Sequence, residues 1–117
     1  MENLLNKIII NKKENILKLK KKYTINELLN NIQNVKNLVN FNNELKKKDK
    51  NNKISIIAEI KKSSPSAGII VKNFYPLKIA KLYIENGASF LSVLTDEKFF
   101  SGKFEYIKNI KNNHKIP

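Results

Sequence analysis

The chain has 117 residues, enough for one domain with a modest core, and a formal net charge of +13 from 23 basic and 10 acidic side chains. It has no cysteine, which excludes a disulfide framework, a thiolate nucleophile and a cysteine metal site. No apolar run reaches the roughly 18 to 20 residues needed to span a membrane. The start, MENLLNKIIINKKENILK, has an acid at position 2 and a helical rhythm, and lacks the pattern of a signal peptide. A cytoplasmic protein is the expectation.

The positive charge points towards nucleic acid only at first sight. All 23 basic residues are lysine, whereas arginine is the preferred partner for bidentate contact with phosphate and guanine. Asparagine (19) and isoleucine (17) are also inflated. Lys, Asn and Ile share A- and T-rich codons, so a biased genome gives this composition without a binding function. The runs Lys18, Lys20, Lys21, Lys22 and Lys46, Lys47, Lys48, Lys50 read as solvated faces and linkers.

In chain order, Leu4, Leu5, Ile8, Ile9, Ile16 and Leu19 recur at helix spacing, with a break near Tyr23. Thr24 and Glu27 form a T-x-x-E capping box ahead of a stripe of Ile25, Leu28, Leu29 and Ile32. KKKDKNNK, 46 to 53, reads as a linker. Residues 1–50 thus form a helical extension and linker, and 51–117 a second region. ISIIAEI, from 54, is β-branched and continuous, as a strand covered on both faces should be. KNFYPLKIAKLYIENGA follows as a helix, with Pro76 in its first turn and Gly87 at its C-terminal cap. FLSVLT is a second buried strand and DEKFFSG a loop. FEYIKNIKNN is a helix, and HKIP is the approach to a third strand.

Strand–loop–helix order, met twice, predicts a parallel sheet with right-handed crossovers. The loops after the C-terminal strand ends then carry the chemistry. Side chains alternate along a strand, so Glu59 and Lys61 share a face and Ala58 and Ile60 take the other. If Ala58 and Ile60 pack on helices, Glu59 and Lys61 point into a barrel mouth or crevice. A buried Glu–Lys pair is costly to desolvate and is kept for reasons other than stability. Such a lysine can serve as a general acid tuned by its carboxylate neighbour. The competing reading is a frayed strand end in solvent.

IIAEIKKSSPSAGII, then LSVLTDEKFFSG, then a helix ending before KIP, resembles the indole-3-glycerol phosphate synthase family of tryptophan biosynthesis. In that family the first barrel strand ends in a glutamate, one residue, a catalytic lysine and a Ser-Pro-Ser turn. The second ends in Leu-Thr-Asp/Glu with an aromatic-Phe-x-Gly loop. The resemblance implies an α/β fold, the N-terminal portion of a (β/α)8 TIM barrel with a helical N-terminal extension packed over the mouth. It implies ring closure, with loss of carbon dioxide and water, of 1-(2-carboxyphenylamino)-1-deoxyribulose 5-phosphate. It implies no metal and no organic cofactor.

Carried over by residue, the resemblance implies that Lys61 meets the substrate carboxylate and takes part in proton transfer, with Glu59 as its partner. Ser64 would lie at the substrate end of the loop, Pro65 would shape that loop, and Phe100 would line the pocket for the anthranilate-derived ring. These types suit the chemistry, which needs an acid, a cation for the carboxylate and an apolar wall. Lys62, Lys98 and His114 read as surface residues, Ser63 and Ser66 as ordinary turn residues, Phe99 as packing, and Asp96 and Glu97 as loop caps.

A (β/α)8 barrel takes roughly 250 residues. The family's strand-three lysine, its strand-four glutamate and its phosphate-holding loops would all fall after residue 117. The chain alone is therefore expected to be an inactive fragment. Two other readings stay open. One is a half-enzyme completed by a second chain. The other is a basic module for nucleic acid or an anionic surface, against which the lack of arginine and of basic–aromatic interleaving counts.

Overall fold

A computed structural model describes residues 3–36 and 38–117, so the acid at position 2 lies outside the described residues. The chain divides at Lys36 into two compact units. The first holds α1 (Leu4–Lys22) and α2 (Ile25–Gln33). The Asn3 side chain caps α1 by accepting from the Leu5 N–H, and Tyr23 in extended geometry ends it, as the sequence break predicts. The capping box forms in full: the Thr24 hydroxyl accepts from the Glu27 N–H, and the Glu27 carboxylate accepts from the Thr24 N–H. Neither helix holds a buried residue.

The second unit begins with α3 (Phe41–Lys50), capped by Asn40. Helix therefore runs through the first half of the expected 46–53 linker. Lysine is a good helix former, and Glu44 and Lys47 pair one turn apart. β1 is Ile57–Ile60, shorter than the predicted strand. α4 (Pro76–Glu85) opens with Pro76 in its first turn, and Gly87 past its end has φ +97, which glycine adopts freely. β4 (Phe90–Val93) pairs with β1 in parallel, Ile57 opposite Phe90 and Glu59 opposite Ser92. Between them lies an unpredicted antiparallel hairpin of β2 (Ser63–Ser64) and β3 (Gly68–Ile69). The expected DEKFFSG loop contains a one-turn helix, α5 (Glu97–Phe100), whose first turn is capped by the Asp96 carboxylate. α6 (Phe104–Asn113) follows. The Leu91 N–H then donates to the Pro117 carbonyl, so HKIP runs in beside β4 as a third strand would.

The crossover helices cover one face of the sheet. Ile60 is buried with Ala80 of α4 and Ile110 of α6, and Phe74, Ile79, Leu91 and Val93 pack against them. On the other face, at its lower end, Phe41 of α3 meets Phe90 with ring centroids 4.2 Å apart. Phe90 opens its strand, so α3 sits at the strands' N-terminal end. The predicted two-face burial of ISIIAEI fails: Ile54, ahead of β1, is 86% exposed, and Ile57, on the strand's open face, is 60% exposed.

Candidate active site

The backbone of β1 carries Glu59 and Lys61 to the C-terminal end of the sheet, on the face turned away from α4 and α6. The alternation is enforced from the opposite side. Ile60 is locked in the core, so its neighbours must point the other way. Lys61 Nζ lies 2.8 Å from Glu59 Oε1. The pair is not buried as expected. The side chains keep 32 and 47% of their exposure, because the face is open around them.

After Lys61 the chain turns sharply. The Lys62 carbonyl accepts from both the Ile70 and Val71 N–H groups, which closes the hairpin. Ser64, Pro65, Ser66 and Ala67 form its tip, and Gly68 has φ +66. The Ser64 hydroxyl accepts from the Ala67 N–H at 3.1 Å and lies 3.3 Å from the Ser66 hydroxyl. Ser64 and Pro65 thus occupy a pinned turn beside the strand end, with the Ser64 oxygen already engaged in the turn.

The second strand supplies the neighbouring loop. Leu94 continues the ladder by donating its N–H to the Ile60 carbonyl. Asp96 then anchors the next loop twice: its carboxylate accepts from the Phe99 N–H, and its carbonyl accepts from the Gly102 N–H at 2.8 Å. Gly102 is buried so close to the Leu94 carbonyl that a Cβ would overlap it. Phe99 and Phe100 are both partly buried, and the Lys98 ammonium lies 5.6 Å from the Phe99 ring centre. Helix α5, which carries Phe100, packs against β2. Glu59, Lys61, Ser64, Pro65 and Phe100 therefore stand at or beyond the C-terminal ends of two adjacent strands.

Sequence reasoning passed over Ser63. It is buried at 7% exposure, and its hydroxyl donates to the Ser101 hydroxyl at 2.8 Å, across 38 residues of chain. The side-chain alternation of a hairpin could have flagged it; the label of turn residue hid it. Among the described residues no group of three or more His, Asp or Glu side chains stands together as a metal site, and no helix is long and apolar enough to cross a membrane. An apolar slot of about 120 Å³ lies between β4 and α6, lined by Leu91, Val93, Ile107, Ile110 and Ile116, on the face away from Lys61.

Comparison with known proteins gives one consistent family. The indole-3-glycerol phosphate synthase family pattern matches residues 5–117. The indole-3-glycerol phosphate synthase of Aliarcobacter butzleri is 40% identical over 114 residues, covering 97% of this chain and 43% of that protein. The synthase of Chloroherpeton thalassium is 38% identical over 113 residues, covering 97 and 44%. That of Trichodesmium erythraeum is 55% identical over 64 residues, covering 55 and 22%. The chain thus spans about two fifths of the length of the relatives it matches from end to end. A small parallel sheet with crossover helices on one face is what the first part of such a protein would form, and the chain belongs to the indole-3-glycerol phosphate synthase family.

Proposed function

We propose that the chain supplies the first two strand–helix units of an indole-3-glycerol phosphate synthase barrel, together with half of its active site. The observation that carries this reading is the Glu59–Lys61 ion pair at the C-terminal end of a parallel strand, where α/β folds place their chemistry. The reaction is ring closure of 1-(2-carboxyphenylamino)-1-deoxyribulose 5-phosphate to indole-3-glycerol phosphate, releasing carbon dioxide and water.

In this reading Lys61 places the substrate carboxylate and moves a proton towards the oxygen that departs as water. Glu59, paired with it at 2.8 Å, holds the ammonium in place. A preorganised cation of this kind acts on the charge that develops during ring closure. Phe100 supplies the apolar wall for the anthranilate ring, and the Ser64–Pro65 turn borders the substrate. The phosphate would be held by later loops, as in other barrels of this class. This function goes with a cytoplasmic location and a small phosphorylated substrate rather than nucleic acid.

The test is complementation. The 117-residue chain is co-expressed with the C-terminal part of the Aliarcobacter butzleri synthase that it does not match. The expected result is a complex that forms the indole product, with neither part active alone. A stable complex that never turns over the substrate contradicts the assignment.

A further inference from the structure

Among the described residues, Ser63 is the polar side chain that the fold buries. Its partner, Ser101, has φ +52, a left-handed conformation that residues other than glycine adopt rarely. Both ends of the contact are held independently. Ser63 sits in a hairpin closed by two N–H groups on the Lys62 carbonyl. Ser101 donates its N–H to the Glu97 carbonyl, and its neighbour Gly102 donates to the Asp96 carbonyl. A bond between two groups already fixed costs little conformational entropy, so its strength is available to hold the loops together.

We infer that the Ser63–Ser101 hydrogen bond is a clasp between the two strand-end loops. It fixes the loop of Lys61, Ser64 and Pro65 against the loop of Phe99 and Phe100. Ser63 and Ser101 are positioning residues: they set the spacing between the cationic group and the aromatic wall without touching the reacting atoms. Their value to catalysis rests on the proposed function, whereas the clasp stands on the geometry alone.

The experiment is amide hydrogen exchange by nuclear magnetic resonance on the full 117-residue chain. Ser63→Ala should speed exchange of the Ser101 and Gly102 amides, in the other loop, roughly tenfold, the worth of one well-held hydrogen bond. Ser101→Gly should do the same to the Ile70 and Val71 amides. Glycine keeps the left-handed backbone at no cost, so this variant removes the hydroxyl without adding strain and serves even if Ser63→Ala does not fold. The double variant should exchange no faster than either single one, because both remove the same bond. Ser63→Thr, which keeps the hydroxyl, should restore the parent rates. Faster exchange confined to the substituted loop overturns the clasp. So do effects that multiply in the double variant, or a parent chain whose Ser101 and Gly102 amides are unprotected. Exchange needs no substrate, so a failure of the proposed reaction is read separately.

Discussion

The Lys61 ammonium stands 2.8 Å from the Glu59 carboxylate, two residues back on the same strand face. Both side chains keep a third to a half of their exposure, and ion pairs this open contribute about 0–1 kcal/mol to stability. Glu59→Gln and Lys61→Met should therefore shift the urea unfolding free energy of the chain by less than about 1 kcal/mol. In the complemented enzyme, Lys61→Met should cost turnover roughly 10²- to 10⁴-fold, the usual worth of a positioned acid. A large stability loss with intact turnover would make the pair structural.

The core predicts the opposite division. Ile60 and Ile110 are 1 and 2% exposed and meet across the sheet–helix layer. Ile60→Ala or Ile110→Ala should each cost about 2–5 kcal/mol, from lost burial and the cavity left behind. Ile57→Ala, on the open face of the same strand, should stay within about 0.5 kcal/mol. Urea titrations followed by circular dichroism distinguish the two.

Gly102 matters for space rather than for backbone freedom. A Cβ there would overlap the Leu94 carbonyl, which belongs to the backbone and cannot swing aside. Gly102→Ala should destabilise by about 1–3 kcal/mol, as overpacking does. It should also break the bond from the Gly102 N–H to the Asp96 carbonyl, visible as a loss of amide protection at residue 102.

The capping box gives a pH dependence with a definite sign. Hydrogen bonds from the Thr24 backbone and then its hydroxyl hold the Glu27 carboxyl below its ordinary value of 4.5. A lowered folded-state value means that the cap favours the helix fully above the unfolded value. The contribution is then lost as pH falls through the lowered one. Ellipticity of a peptide covering residues 20–36 should drop across that acid window. Thr24→Ala should weaken the helix by about 1 kcal/mol at neutral pH and flatten the acid transition. An unchanged transition in Thr24→Ala would show that the cap is not its cause.

Local chemistry made much of this legible in the sequence. The Thr24–Glu27 box, Pro76 at a helix start and Gly87 past its end each satisfy a backbone requirement that only certain residues meet, and each stands where expected. The alternation at Ala58, Glu59, Ile60 and Lys61 likewise follows from a period of two. What was not legible depends on distance. Ser63 gains its meaning only from Ser101, 38 residues away, and the exposure of Ile57 depends on which elements cross its face. The start of 46–53 was misread because a lysine-rich segment is polar enough for a linker and helical enough for α3; propensity and solubility point different ways there.

The most direct test of the central claim is the rate of indole-3-glycerol phosphate formation by this chain assembled with the unmatched C-terminal part of the Aliarcobacter butzleri synthase. The account predicts turnover in the assembly, none in either part, and loss of that turnover in Lys61→Met without loss of the complex. Undiminished turnover in Lys61→Met would contradict it.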